Sequence, residues 1–230
     1  MHLNNVIFFG GTSSIAKEIS KNLKKNYEII SFSRTTSANK NYSKEIKISF
    51  DSKKFPKKQL KEHLKKKYSL VIFFQAYQPA YTAKFYDLGA AIINRVINVN
   101  AIFSARAITF LIDEGMLTES CKVIFFSSRS GSIYERGLLK HHKPGGNNLY
   151  RASKSILNSL IKNISFEFKF TKNIFIAYHP GWIKTKSSGG SKKAYSKKFA
   201  AKKFLQNLKN IKLQHSGKFL DYNLQKRFKA

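Results

Sequence analysis

Two residues four apart in this 230-residue chain, Tyr150 and Lys154, are of types that could do acid–base chemistry, although such a pair alone is common. At the start of a helix that spacing puts them on one face. An isolated phenol titrates near 10 and is a poor acid or base at neutral pH. A neighbouring ammonium favours the phenolate and brings the group toward its working range. A second candidate is the turn Gly10-Gly11-Thr12-Ser13-Ser14-Ile15-Ala16. The free N–H groups where such a turn enters a helix favour a pyrophosphate. Gly10 suits the tight bend, and Thr12 and Ser13 carry hydroxyl donors. The general glycine fingerprint has glycines where Ser14 and Ala16 stand. By itself the segment reads equally well as an ordinary β–α turn. His141 and His142 are adjacent imidazoles with no thiolate or carboxylate close in sequence, so no metal site is assigned.

The elements that must hold these groups alternate along the chain. Short apolar runs read as strands at Val6–Phe9, Glu28–Phe32, Ile46–Ile48, Leu70–Phe74, Val123–Phe126, Asn173–Tyr178 and Gly217–Leu220. Helical spacing of apolar residues follows Gly11, covers Phe55–Lys67, runs continuously over Ile92–Ile112, and recurs over Tyr150–Phe166 and Lys197–Leu208. Continuous apolar strands separated by helices predict an α/β fold: a three-layer, doubly wound, mostly parallel sheet of about seven strands. No internal boundary is visible, so residues 1–230 read as one domain. Its variable, substrate-side loops lie at about 131–148 and 186–196, and a basic tail at 223–230. Ligands of such sheets bind at the carboxyl ends of the strands, where the glycine turn falls.

Taken in order, these segments resemble the short-chain dehydrogenase/reductase family. The matching stretches are Gly-Gly-Thr-Ser-Ser-Ile-Ala at 10–16, Gln-Ala at 75–76, Asn-Val-Asn at 98–100, Ser-Ser-Arg-Ser-Gly-Ser-Ile at 127–133, Tyr-Arg-Ala-Ser-Lys at 150–154 and His-Pro-Gly-Trp-Ile-Lys-Thr at 179–185. The Ser-Ser-Arg and His-Pro-Gly segments, with Ser-Gly-Lys-Phe-Leu-Asp-Tyr at 216–222, look like the small C-factor-like branch. The resemblance spans nearly the whole chain and implies a Rossmann-type domain.

It also implies roles. Tyr150 would be the general acid/base, Lys154 would favour its phenolate and bind the nicotinamide ribose, and Ser128 would hydrogen-bond the substrate oxygen. Asn100 would hold a water that relays protons to Lys154. Ser127 competes with Ser128, which is preferred because it stands three before Gly131. Gly10, Thr12, Ser13, Ser14 and Ile15 would cradle the pyrophosphate. No acidic residue closes the second strand; Ser33, Arg34 and Thr35 stand there and suit a 2′-phosphate. The cofactor expected is therefore NADP(H), with NAD(H) as the alternative. Asp51 and Ser52 would lie near the adenine, Gln75 and Ala76 under the adenosine ribose, and Pro180, Gly181, Ile183 and Thr185 beside the nicotinamide. Gln75-Ala76 departs from the family's Asn-Asn-Ala-Gly stretch. The implied reaction is hydride transfer with a small carbonyl or alcohol substrate, an anionic one suiting the nearby cations. The alternative reading is a catalytically weak nucleotide-binding or regulatory protein. Relatives of this kind pair their long helices, so a homodimer or homotetramer is expected.

Composition limits the rest. Forty-three Lys plus Arg against 12 Asp plus Glu give a formal charge of +31. That excess either suits polyanions or follows from a Lys-, Asn-, Ile- and Phe-rich composition bias. The lysines are spread over many segments, and no zinc-finger spacing or aromatic single-strand motif accompanies them, so no specific nucleic-acid partner is expected. The apolar runs fall short of the roughly 20 residues of a membrane span, and no leader pattern opens the chain. A soluble, cytoplasmic protein is the default. Cys121, the single cysteine, reads as core packing.

Overall fold

A computed structural model describes residues 4–51, 54–79, 88–137, 147–184, 192 and 194–223. Seven strands form one sheet: β1 (Asn4–Phe9), β2 (Tyr27–Ser33), β3 (Lys44–Lys47), β4 (Tyr68–Phe73), β5 (Leu117–Phe126), β6 (Ile174–His179) and β7 (Lys218–Asp221). Their order is β3-β2-β1-β4-β5-β6-β7, and every pairing is parallel. A parallel sheet needs cover on both faces. Helices α1 (Ser14–Leu23) and α6 (Lys197–Asn210) cover one face. The other is covered by α2 (Lys57–His63), α4 (Phe103–Asp113) and α5 (Asn148–Glu167). The expected three-layer doubly wound architecture is present.

Aromatic rings pack on both faces of the central sheet. Phe32, Phe9, Phe73 and Phe125 are in cross-strand register and form a ladder, with ring centroids 5.4, 4.8 and 4.7 Å apart in turn. Phe103 of α4 meets Phe9 edge-on at 5.6 Å. On the opposite face Phe126, Tyr178 and Phe204 of α6 pack mutually. These rings, nearly all fully buried, hold the carboxyl ends of the strands at a common level. Cys121 is buried, as expected, and burial pushes its thiol up.

Three elements differ from their sequence reading. The helix read over Phe55–Lys67 is confined to Lys57–His63, because Leu64 turns extended and the lysines at 65–67 lead into β4. Like-charged neighbours give a helix no side-chain support. The helix read over Ile92–Ile112 is divided: α3 (Ala90–Ile97) and α4 are joined by a π-helical turn, Asn98–Ile102. The joined helix, Ala90–Asp113, has the length and mean hydropathy (1.4) of a membrane span, yet more than half of that window is buried within the fold; it serves as a core helix. Finally, β5 starts at Leu117, well before the expected Val123. Its first half carries exposed Glu119 and Ser120 and shows no apolar run.

Strand order reverses between β1 and β4, which opens a crevice at their carboxyl ends. Gly10 closes β1 there with φ of +85°. A Cβ on it would lie 2.6 Å from the Gln75 backbone nitrogen. Gly115 also has positive φ, +63°, but faces open space. Gly10→Ala should therefore lower stability by about 1–3 kcal/mol through the clash added to backbone strain. Gly115→Ala should lose only the strain. Thermal melts of the two variants check this, and equal losses would contradict it.

Candidate active site

The glycine turn is braced from below. Thr12 N–H donates to Ser33 Oγ (3.2 Å), and the Tyr42 hydroxyl donates to the Gly11 carbonyl (2.7 Å). Ser13 caps α1 by accepting from Ala16 N–H (3.3 Å). Buried Ser33 and the Ser13 hydroxyl thus shape the turn. Thr12 and Ser14 lie half-buried at the helix entrance, and the Ile15 side chain joins the core. Arg34 and Thr35 are exposed at the carboxyl end of β2.

Asp51 accepts from Ser49 Oγ (2.6 Å) and pairs with Arg95 of α3 (3.0 Å). The Ser49 bond, with the Arg95 and Arg34 charges, outweighs partial burial and holds its carboxyl below the ordinary value. Sequence reasoning missed Arg95, whose guanidinium also lies 4.5 Å over the Tyr77 ring. Gln75 is buried and donates from Nε2 to Ser104 Oγ (2.7 Å), while Ala76 is exposed. Ser52 and Thr185, with the His141–His142 pair, lie outside the described residues.

Asn100 sits in the π turn and is 1% exposed. Its Oδ1 accepts from Tyr77 N–H (2.6 Å). Its Nδ2 donates to the Tyr77 carbonyl and to Ser153 Oγ, both at 2.9 Å. Ser153 Oγ in turn donates to the Tyr150 carbonyl (2.7 Å). These bonds tie the chain after β4 to the helix that carries Tyr150.

Around Tyr150 the parts converge. The half-buried phenol shares a hydrogen bond with the Ser128 hydroxyl. Burial raises its pKa and the Ser128 bond lowers it. The Ser127 hydroxyl is engaged elsewhere, its Oγ donating to Asn158 Oδ1 (2.6 Å). Lys154 is 1% exposed. Its ammonium lies 5.9 Å from the Tyr150 ring centroid and donates to the Phe126 carbonyl at the end of β5 (2.9 Å). Among the described residues no carboxylate pairs with it. His179 is not a competing acid, because burial and then the Arg129 charge push its pKa down to about 3. Gly181 has φ of +80° and packs against Tyr195 and Tyr222. Ile183 is bridged to Tyr195, which holds the chain after Pro180 beside the crevice.

Burial lowers the Lys154 pKa to about 8. Below that pH the buried ammonium costs stability; between 8 and its unfolded value near 10.4 the unfolded chain binds more protons, so stability rises with pH. From pH 8 to 10 the protein should gain about 2 kcal/mol relative to Lys154→Met, which has no ammonium to lose. Denaturant unfolding of both proteins at each pH checks this. Parallel curves would contradict it.

No protein-family model matches the chain. Over 136 residues, 59% of this chain and 78% of the relative, it is 26% identical to C-signal of Myxococcus xanthus. Among solved structures it superposes on carbonyl reductase Sniffer of D. melanogaster with TM-score 0.83 and 17% identity, over all of both chains. The NADPH-bound carbonyl reductase from chicken fatty liver gives 0.82 and 19%, over 100% of this chain and 95% of that one. A short-chain dehydrogenase/reductase from Burkholderia multivorans with bound NADP gives 0.78 and 15%, again over both whole chains. With its seven parallel strands and the Ser128, Tyr150 and Lys154 cluster at their carboxyl ends, the chain has the fold of the short-chain dehydrogenases and carbonyl reductases and resembles them in its ordered motifs.

Proposed function

We propose that this protein is an NADP(H)-dependent oxidoreductase that interconverts a small carbonyl compound and its alcohol. The observation that carries the reading is the Tyr150 phenol hydrogen-bonded to Ser128, beside a buried Lys154 ammonium that no described carboxylate neutralises. Such an ammonium calls for polar oxygen partners; the hydroxyls of a nicotinamide ribose and the phenolate are of that kind. The cradle at Gly10, which a Cβ would fill, fits a pyrophosphate over the entrance to α1. Exposed Arg34, with no carboxylate beside it on β2, suits a 2′-phosphate. The NADP and NADPH carried by the Burkholderia and chicken structures support the same choice.

When bound, the dinucleotide supplies or accepts the hydride. The chain's own residues handle the proton. In reduction Tyr150 Oη passes its proton to the carbonyl oxygen, and the Ser128 hydroxyl donates to the same oxygen as charge builds on it. Lys154 favours the phenolate left behind. In oxidation the phenolate takes the alcohol proton back. Self-association through the α5 end belongs to the same proposal; exposed Phe166 and Phe170 there support it.

Tyr150→Phe keeps the ring and removes the proton. NADPH oxidation with a phenanthrenequinone probe should fall by about a hundredfold or more, the usual scale for a positioned acid. NADPH affinity should be retained. Equal turnover in the variant would remove Tyr150 from the mechanism. Intact nucleotide binding with no turnover in the unaltered protein would favour the weak, regulatory alternative.

A further inference from the structure

The Ser128 hydroxyl can meet the phenol only if the turn after β5 is held at the right height over α5. That turn, Arg129–Gly131, lies directly on the helix: a Cβ on Gly131 would come within 2.7 Å of the Lys154 backbone. Close approach alone leaves the turn free to slide. Two side chains of α5, the next residue and one a helical turn further along, prevent it. Ser155 Oγ donates to the Gly131 carbonyl (2.9 Å). Asn158, 4% exposed, reaches both sides of Ser128: its Oδ1 accepts from Ser127 Oγ (2.6 Å), and its Nδ2 donates to the Gly131 carbonyl (3.3 Å).

We propose that Asn158 is a positioning residue for the reaction, a buried amide that clamps the Ser127–Gly131 segment at both ends and so sets Ser128 against Tyr150. It touches neither Tyr150 nor the crevice in any bond above, and acts through Ser127 and Gly131. The inference rests on the oxidoreductase reading for its catalytic consequence, but its structural half stands separately. Loosening the clamp weakens the Ser128–Tyr150 hydrogen bond. That bond is what lowers the Tyr150 pKa against burial, so its loss raises it further. The charged and titratable groups on the elements packed here are Lys154 and Arg151 of α5, Arg129 with its Glu135 partner on the turn, and His179 at the end of β6. Substitution at 158 alters none of them.

The test is Asn158→Ala, measured with NADPH and phenanthrenequinone over a pH series. We expect kcat to fall about tenfold, with KM and NADPH affinity within about twofold of the original protein. The alkaline limb of reduction should move to higher pH, because the phenol keeps its proton longer. Independently of turnover, the Tyr150 ring resonance in isotope-labelled protein, assigned by its loss in Tyr150→Phe, should begin its alkaline titration at higher pH. A lower melting temperature with an unmoved limb and unmoved titration would overturn the proposal and leave Asn158 a packing residue. If Asn158→Ala does not fold, Ser127→Ala, which cuts one arm of the clamp, should show the same shifts in smaller measure; no shift there overturns the proposal as well. If the original protein turns over no carbonyl, the oxidoreductase reading fails, and the Tyr150 titration still decides the clamp.

Discussion

A lysine ammonium almost fully out of water is the condition around which this molecule is arranged. Burying an unneutralised charge is costly unless it is well hydrogen-bonded. Lys154 receives one strong acceptor, the Phe126 carbonyl, at the point where β5 leaves the sheet. That bond requires α5 to lie close over the strand end. The close approach in turn demands a glycine at 131 and the clamp of Ser155 and Asn158. The aromatic ladder under α4 and α5 supplies the apolar burial that offsets the cost. The lowered pKa of Lys154 measures what remains unoffset, a deficit that ribose hydroxyls and a phenolate are suited to relieve.

The same logic links the two ends of the crevice. Asn100 lies in a π turn, where the extra residue per turn re-aims one side chain from an otherwise regular helix. It joins the chain after β4 to the carbonyl of Tyr150 through Ser153. Tyr77, at one end of this connection, lies under Arg95, which Asp51 holds. Asp51, Arg95, Tyr77, Asn100, Ser153 and Tyr150 are thus linked in turn by an ion pair, a cation–π contact and hydrogen bonds.

Much of this was legible in the sequence. The buried strands β1, β4 and β6 are continuous apolar runs, and the Tyr150–Lys154 spacing is local. Gly10 and Ser128 lie at strand ends, where doubly wound sheets put their chemistry. Ser128 is preferred to Ser127 on its place three before Gly131 in the family's pattern; the bond of Ser127 to Asn158 has no sequence signal. What stayed hidden was non-local or nearly silent in period. The Asn158–Ser127 bond spans 31 residues. A single π turn barely disturbs an apolar repeat, so α3 and α4 read as one helix. The Arg95–Asp51 pair joins two segments whose charges alone, among 43 cations, carried no signal of partnership. The polar first half of β5 has too few buried positions to show a pattern.

The proposed function requires the crevice above β1 and β4 to take a phosphorylated nicotinamide dinucleotide, Lys154 meeting its ribose and Arg34 its 2′-phosphate. Parallel titrations of the purified protein with NADPH and NADH at about 0.15 M salt, where surface charge is largely screened, test it most directly through nicotinamide fluorescence. The account predicts saturable binding of NADPH and clearly weaker binding of NADH. Binding of neither would contradict it.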